Sequence, residues 1–571
     1  MSPTPVPPRA RRVFGARTAA LTAAAALIVA VVAFGLRVLY HSLVFTREGV
    51  LPVDPDAFYH FRRIAYSVRN FPATLAFDPY VNFPRGGEPI WSPAFDLGAA
   101  ALVRAALGDP EPAAMERLLC WVPPFLGAVH VALLFLIGRR FLSAPAAFAG
   151  ALLLALLPGH FSYSQLGFVD HHAAVSLAGS LVLFAAMAFA ARPGVGQGAA
   201  LTFAFAGALL LWPGSLIHVG VAQAALLAVW LARGERGPSV RTAALLAAAH
   251  AGAALFVAPF GLGRTWLRWG AWSPLVLSGF QPLWLGAGAA CFALLAGLYR
   301  RTGVSRSRAR RAASAAAVGA VVAGLVVAAV PELASRGAGD ALAWLARGEE
   351  FQAVVGESQP LLVRAGRVQL WPAVVLLSGG FVLGPLAVAA LLIAARRVRR
   401  PELAVLALWS AAFLLLAAIQ WRFVADAAAA LALLLPAVVD VGLAPAAPLR
   451  RRRLALVAFA AGVVLALPAL DFYAKRPLIG RTGRRTMALG LELGRWLRAN
   501  SPPTSGWLGD GPLPEYGVLA PWGLGHALRY AAQRPLVQDN FGDDVGEEGF
   551  SAAEAYFSAP SEEAGLAILA A

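Results

Sequence analysis

The feature that most constrains the fold of this chain is a series of long apolar runs. Thirteen of them have about the length that an α-helix needs to cross a bilayer. They lie at residues 18–39, 119–138, 141–159, 172–191, 198–213, 215–232, 242–259, 275–298, 312–330, 371–394, 403–419, 423–442 and 454–470. Inside a bilayer the backbone polar groups must be hydrogen-bonded within the chain. The pattern therefore predicts a mainly α, polytopic membrane protein with about 13 transmembrane helices.

Composition supports this class and argues against a nucleic-acid-binding protein. Hydrophobic residues make up 59% of the 571 residues, and charged residues only 14%. A net charge of +17 could suit nucleic acid, but the arginines occur in short clusters between apolar runs. Such clusters are typical of topology signals and contacts with anionic lipids. We therefore predict no nucleic-acid partner.

The arginine clusters also predict the topology. Short cytoplasmic loops are enriched in arginine, and with the N-terminus inside, every predicted inner loop contains such a cluster. The clusters lie at residues 139–140, 192, 233–241, 300–311, 396–400 and 450–453. This holds only if the apolar run 93–107, broken by Asp96 and Arg104, is a surface or re-entrant helix. The N-terminal tail 1–17 is then cytoplasmic, and the first run is a retained span since it lacks a clear cleavage site.

The same topology places several polar segments on the outer face. They are the loops 40–118 and 331–370, the loop around Asp170, the turn at Arg422 and the segment 471–571. Their convergence on one side predicts a single extracytoplasmic active site.

The first outer loop contains an unusual group of charged residues. Asp54 and Asp56 are separated by one residue, and His60 and Arg62 follow closely. Two carboxylates with a nearby imidazole and guanidinium could hold a divalent cation and a phosphate at the membrane edge. A polar loop beside a membrane anchor is an equally acceptable interpretation of these residues alone.

Three further residues on the outer face could contribute to such a site. Asp170 and His172 could share one ion, because mixed carboxylate and imidazole ligation suits Mn²⁺ or Mg²⁺; His171 would face away or support them from behind. Glu357 precedes Pro360 and could be held rigidly, although a solvated loop carboxylate is the alternative. Arg422 could bind a phosphate or an acidic group, or extend its side chain to the interface.

In their order and their side of the membrane, these motifs resemble those of the oligosaccharyltransferase catalytic subunits, the AglB and PglB group of the GT-C glycosyltransferases. The resemblance rests on Asp56 to Arg62, Gly167 to His172, Val354 to Glu357, and Arg422. It implies that Asp56, Asp170 and His172 hold a divalent metal. It also implies that Glu357 engages the acceptor and that Arg422 binds the donor phosphate or the acceptor. Asp56 and Glu357 are then the catalytic candidates. His60 and Arg62 are further candidates for substrate binding.

The C-terminal segment departs from the family pattern. The stretch Pro521 to Gly525 resembles the family's Trp-Trp-Asp-Tyr-Gly motif and retains Trp522 and Gly525, which are substrate-binding candidates. Gly523 and Leu524 replace the aspartate and tyrosine. We expect the segment 471–571 to form a small extracytoplasmic α/β domain that is shorter than in the family, after a transmembrane GT-C domain at 18–470.

The resemblance implies a function: inverting, metal-dependent transfer of an oligosaccharide from a polyprenyl-phosphate-type lipid carrier to asparagine of an acceptor polypeptide. The enzyme would work as a single subunit in the plasma (inner) membrane, with its site facing the periplasm or exterior, and would use Mn²⁺ or Mg²⁺. Two alternatives stay open. One is a GT-C glycosyltransferase with a protein hydroxyl, a lipid or a glycan as acceptor, and the other is a membrane transporter.

Overall fold

The structure is a computed structural model that describes most of the chain. The described residues are 16–232, 240–303, 307–333, 338–346, 350–364, 366–443, 448–476, 481–508, 512–545 and 550–570. The predicted cytoplasmic tail 1–17 and part of the arginine cluster at 233–241 lie largely outside them.

The described residues are organised mainly as helices, which follow the apolar pattern. The first part of the chain contains α1 (Ala16–Arg37), α2 (His41–Val44), α3 (Asp56–Arg69), α4 (Ala94–Leu107), α5 (Pro112–Leu119), α6 (Val122–Phe141), α7 (Ala144–Leu156), α8 (Pro158–Ser162), α9 (His172–Ala191), α10 (Val195–Leu211), α11 (Leu216–Ala232), α12 (Val240–Gly261), α13 (Phe280–Thr302) and α14 (Arg308–Ala329). The second part contains α15 (Ala338–Ala346), α16 (Glu350–Val354), α17 (Trp371–Leu377), α18 (Gly380–Arg397), α19 (Pro401–Ile419), α20 (Val424–Leu443), α21 (Pro448–Lys475), α22 (Arg481–Asn500), α23 (Gly525–Ala532), α24 (Phe550–Phe557) and α25 (Glu562–Ala570).

Strands in the described residues are short and local. β1 (Phe45–Thr46) pairs antiparallel with β2 (Gly49–Val50), and β3 (Val363–Arg364) pairs antiparallel with β4 (Arg367–Val368). Each pair forms a hairpin of two strands, each two residues long, in a predicted outer loop. The core is therefore formed by helices.

The predicted fold class is confirmed, with shorter helices at two of the predicted spans. Within the described residues, 10 helical segments are long and apolar enough to cross a membrane. The predicted runs 141–159 and 198–213 correspond to α7 and α10, which have 13 and 17 residues. The run 454–470 lies within α21. The apolar run 93–107 forms α4, whose 14 residues are too few for a normal crossing.

The helical bundle is closely packed around α20. This helix is almost entirely buried over its first half, where alanines predominate. Small residues let helix backbones approach closely, which is typical of packing within membranes. At the α7–α20 contact, a Cβ on Gly150 would overlap with the carbonyl oxygen of Ala432. A glycine is therefore required at this position.

The C-terminal segment packs on the first outer loop, although it does not have the predicted α/β character. Its described residues form helices α22 to α25 and one isolated bridge between Val518 and Leu536. The backbone nitrogen of Leu536 donates to Tyr80, and that of Phe83 donates to Leu536, so the outer loop completes the pairing. The α/β prediction is not confirmed, because the apolar residues of this segment lie on amphipathic helices that pack on α3.

We predict that Gly150→Ala destabilises the protein by about 1–3 kcal/mol, since the added methyl group must displace a backbone carbonyl. The measurement is the melting temperature of the full chain in detergent. Gly207→Ala is the matched control, because that helical glycine is exposed and its Cβ would meet no atom within 4 Å. Equal effects of the two substitutions would contradict this account of the α7–α20 contact.

Candidate active site

The first acidic motif lies at the start of α3. The helix begins at Asp56, and the Asp54 carboxylate accepts a hydrogen bond from the Asp56 backbone nitrogen at 3.0 Å. A carboxylate is favourable at this end of a helix because the unpaired N–H groups give it partial positive charge. Behind Asp56, nearly every side chain from Ala57 to Ile64 is buried. The first turn of α3 is therefore fixed in position by the buried side chains that follow Asp56.

His60 connects three parts of the chain. Its Nδ1 lies 2.5 Å from the Asp96 carboxylate and its Nε2 lies 2.9 Å from that of Asp170, while its ring stacks on Trp91. Burial alone would lower the pKa of His60, but Asp96 and Asp170 raise it to about 9. His60 is thus positively charged at neutral pH, and it fixes Asp170 against α3 and α4.

Asp170 lies at the centre of the site. Its Oδ1 lies 2.5 Å from Nδ1 of His171, and its Oδ2 lies 3.4 Å from Nε2 of His172. Burial would raise the pKa of Asp170, but His171 and His172 hold it well below its usual range. His171 was expected to face away or to support the site from behind. It contacts Asp170 directly.

Glu357 and Arg422 meet on the other side of His172. The Glu357 carboxylate lies 3.2 Å from Nε2 of His172 and 3.3 Å from Nη2 of Arg422. Arg422 also donates to the Ser358 hydroxyl and stacks over Trp344. Burial would raise the pKa of Glu357, but Arg422 and His172 lower it to about 2. Glu357 is therefore an ionised carboxylate, and its side chain remains 33% exposed.

These side chains line one large cavity with a volume of about 1730 Å³. Its polar end contains Asp54, Asp56, Asp170, His172, Glu357 and Arg422. Much of the remaining wall is aromatic or aliphatic, formed by Trp212, Leu216, Val221, Phe280, Trp284, Trp344, Leu345, Trp371 and Leu416. The polar end thus brings together residues that are up to 368 positions apart in sequence, from Asp54 to Arg422.

Two of the predicted substrate-binding residues do not face this cavity. Arg62 is 1% exposed, lies 2.6 Å from the Asp78 carboxylate and packs over Tyr80 and Trp507. His60 is buried behind Asp170. Neither side chain lines the cavity, because both are buried against the elements that pack on α3.

At the C-terminal motif, only Trp522 lines the cavity. It lies between the rings of Phe351 and Phe550, with ring centroids 5.9 Å from each. A Cβ on Gly525 would lie 2.5 Å from the Cα of Asp539, so this glycine serves close backbone packing. Gly525 is thus explained by packing, whereas the Trp522 ring lies in the cavity wall; substrate binding by either residue stays a prediction.

His526 is a site residue that sequence reasoning missed. Its Nε2 lies 3.6 Å from the Asp56 carboxylate, and its Nδ1 lies 2.6 Å from Nη2 of Arg529, which pairs with Asp539. A guanidinium can only donate, so Nδ1 accepts and Nε2 bears the hydrogen that faces Asp56. The pattern that could have revealed it is the spacing of His526 and Arg529 on one helix face.

The donor set fits a divalent cation. Burial and the charge of Asp170 raise the pKa of Asp54 to about 7, and partial burial together with Asp54 raises that of Asp56 well above its usual range. A cation among these carboxylates would remove the repulsion. In the part of the chain that the structure describes, ligand atoms of His60, Asp170 and His171 also lie within 4.8 Å of one another. Both ring nitrogens of His60 already face the Asp96 and Asp170 carboxylates, and His60 does not line the cavity. The predicted ligands Asp56, Asp170 and His172 do line it, and their binding of a metal stays a prediction.

A family model and two archaeal proteins match parts of this chain. Residues 20–258 match the family model described as oligosaccharyl transferase STT3, N-terminal. The dolichyl-monophosphooligosaccharide–protein glycotransferase AglB of Haloferax volcanii is 40% identical over 134 residues, which are 22% of this chain and 12% of that protein. The dolichyl-phosphooligosaccharide–protein glycotransferase 3 of Archaeoglobus fulgidus is 31% identical over 119 residues, which are 20% of this chain and 14% of that protein. The matched segments thus span a small part of both relatives.

Solved structures match over nearly the whole chain. The archaeal oligosaccharyltransferase AglB from Archaeoglobus fulgidus, in complex with an inhibitory peptide and a dolichol-phosphate, has a TM-score of 0.80 at 20% identity, covering 97% of this chain and 69% of that one. The oligosaccharyltransferase from the same organism in complex with Zn and sulfate has a TM-score of 0.72 at 20% identity, covering 95% and 66%.

The fold and the cavity therefore define a polytopic, mainly α membrane protein with the fold of an archaeal oligosaccharyltransferase. Within this fold, residues 20–258 are similar to the oligosaccharyl transferase STT3 N-terminal domain, and a shorter segment is similar to AglB of Haloferax volcanii.

We predict that Arg62→Gln lowers stability, by about 3–5 kcal/mol, because it leaves the buried Asp78 carboxylate without its partner. The melting temperature of the full chain measures this effect. Arg69→Gln is the control, since Arg69 is exposed at the end of the same helix. A variant of Arg62 that melted like the wild type would contradict the structural role.

Proposed function

We propose that this protein transfers an oligosaccharide from a polyprenyl-phosphate-type lipid carrier to asparagine of an acceptor polypeptide, using Mn²⁺ or Mg²⁺. The observation on which this depends is that Asp56, Asp170, His172, Glu357 and Arg422 line one cavity. The similarity to glycotransferases of Haloferax volcanii and Archaeoglobus fulgidus supports the same reaction class. The proposed enzyme is a single chain in the plasma (inner) membrane with its cavity on the extracytoplasmic face.

Three residues would hold the metal in this proposal: Asp56, Asp170 and His172. When bound, the cation stabilises the negative charge that develops on the leaving phosphate. His60 would keep Asp170 in place from behind, through contacts that also involve Asp96. His526 would do the same for Asp56, because its Nε2 hydrogen faces that carboxylate. Both histidines would act as positioning residues.

Glu357 would orient the acceptor. Its ionised carboxylate can accept a hydrogen bond from the amide N–H of asparagine and so direct the weakly nucleophilic nitrogen towards the sugar. The new C–N bond forms at the anomeric carbon as the C–O bond to the carrier phosphate breaks. The phosphate leaves with the electron pair, and the amide nitrogen loses one proton to solvent. Attack opposite the leaving group inverts the anomeric configuration.

Arg422 and the apolar wall would hold the donor. Arg422 is already oriented by Glu357, Ser358 and Trp344, so its guanidinium can meet a phosphate without reorganisation. The aromatic and aliphatic wall of the cavity would accommodate the isoprenoid next to that phosphate. The solved structure of AglB from Archaeoglobus fulgidus contains a dolichol-phosphate, which supports this class of carrier.

The decisive experiment uses the full chain reconstituted in liposomes. The substrates are an asparagine-containing peptide and lipid-linked oligosaccharide extracted from membranes of the organism that encodes this protein. We expect glycopeptide and metal-dependent release of the free carrier phosphate, with the glycan mapped to asparagine by mass spectrometry. Glycan on a hydroxyl group would instead support the alternative acceptor that the altered Trp522 motif suggests. Transport of the lipid with no bond cleavage would contradict the transferase proposal.

We predict that Glu357→Gln lowers the rate of glycopeptide formation at least about a hundredfold, because a neutral amide cannot accept from the acceptor in the same way. Glu563→Gln, at an exposed position on α25, is the control and should leave the rate unchanged. Unchanged transfer by the Glu357 variant would show that this residue has no part in acceptor binding.

We predict that Asp170→Asn abolishes high-affinity Mn²⁺ binding by the purified full chain, as measured by isothermal titration calorimetry without substrate. Loss of a residue that merely supports a ligand already costs about tenfold to a hundredfold in metal affinity, so loss of a direct carboxylate ligand should cost more. Asp109→Asn, at an exposed position of the first outer loop, should bind like the wild type. If both variants bound Mn²⁺ equally well, the metal site would lie elsewhere.

A further inference from the structure

A second, smaller cavity lies beside the first, on the other side of Pro55. Its volume is about 320 Å³, and Pro55, Gln165 and Arg476 line both cavities. It is enclosed by the end of α1, the loop before α3, and helix α22 of the C-terminal segment. None of the residues proposed for metal binding or catalysis lines it.

The polar lining of this cavity is basic. Arg37, Arg476 and Arg484 contribute to it together with the Tyr40 ring, and the described lining residues include no aspartate or glutamate. Arg476 donates through Nε and Nη2 to the neutral amide oxygen of Gln165, at 3.2 and 2.8 Å. Arg476 and Arg484 line the same small cavity, and burial and then the charge of Arg484 lower the pKa of Arg476.

The remaining lining is apolar. It consists mainly of Leu43, Val44, Leu51, Pro52, Val53, Phe161, Leu166, Met487 and Ala527. A basic end joined to an apolar wall suits an amphiphile with an anionic head. Guanidinium groups bind phosphate oxygens well because their planar donors match the geometry, and a bound anion would also remove the repulsion between Arg476 and Arg484.

We propose that this cavity is a binding site for a phosphate group, supplied by an anionic membrane lipid, and that it is separate from the proposed donor site. The volume is at the lower end of the range for small-molecule pockets, which fits a headgroup with the first part of its chains. Since Pro55 lies between Asp54 and Asp56, a lipid held here would brace the turn that presents both carboxylates to the large cavity. The site would therefore stabilise the protein without taking part in transfer.

The test measures the melting temperature of the purified full chain in uncharged detergent, as lipid is added. We expect phosphatidylglycerol to raise the melting temperature by a few degrees in a saturable manner, and phosphatidylcholine, whose headgroup has no net charge, to have little effect. Inorganic phosphate is a separate arm. A saturable rise with inorganic phosphate alone would assign the site to free phosphate, and equal effects of both lipids would overturn the proposal.

Three matched variants locate the effect. Arg476→Gln and Arg484→Gln should each weaken the apparent affinity for phosphatidylglycerol about tenfold, which is the loss expected for one charge-assisted contact of roughly 1.4 kcal/mol. Arg485→Gln removes the same charge from the next residue of α22, which is exposed and does not line the cavity, and should leave the affinity within about twofold. If all three variants weakened binding equally, the lipid effect would be surface attraction and the proposal would fail.

Arg484→Gln is the safer of the two variants for folding, because Arg484 is half-buried on the surface of a helix. If Arg476→Gln reduced the yield of folded protein, Arg484→Gln would still decide the question. Native mass spectrometry of the detergent-purified chain adds a direct measurement: retained phosphatidylglycerol is expected in the wild type and in Arg485→Gln, and its absence from both would contradict the proposal.

Discussion

The contact between His60 and Asp170 determines the arrangement of the polar end of the large cavity. His60 is held between the Asp96 and Asp170 carboxylates, so it joins α3, α4 and the loop that precedes α9. From Asp170 the contacts continue through His172 to Glu357 and Arg422. His60 is the partner that these two buried carboxylates share; Asp96 also pairs with Arg63, and Asp170 also meets His171 and His172. Helices that are distant in sequence are thereby brought together at one end of the large cavity.

The acidic residues of the site differ in how far their charge is compensated. Asp170 and Glu357 have cationic or imidazole neighbours that lower their pKa values. The pKa of Asp54 is raised by burial and by the charge of Asp170, and that of Asp56 by burial and by the charge of Asp54. An uncompensated pair beside a compensated aspartate is the arrangement that a divalent cation would complete. The C-terminal segment contributes here too, because His526 presents its hydrogen to Asp56. The proposed metal site therefore depends on a segment that lies hundreds of residues away.

The sequence predicted the helices well because a bilayer imposes a simple rule of length and apolarity. It predicted Asp56, Asp170, Glu357 and Arg422 as neighbours through their common side of the membrane and through family resemblance. It missed Asp96, which looked like an interruption of an apolar run, because the pairing of that acid with His60 exists only after α4 packs on α3. It also assigned Arg62 to substrate, since a charge near a proposed site cannot be distinguished in sequence from a buried partner of Asp78.

The sequence by itself determined the polytopic helical class and the approximate positions of the helices, and it predicted the side of the membrane on which the polar residues lie. These follow from hydropathy and arginine distribution, which act locally along the chain. Only the tertiary structure decided which polar residues face the cavity and which are buried behind it. The amphipathic helix α3 presents Asp56 to the cavity yet turns His60 and Arg62 inward, and the direction in which each side chain points depends on what packs against it.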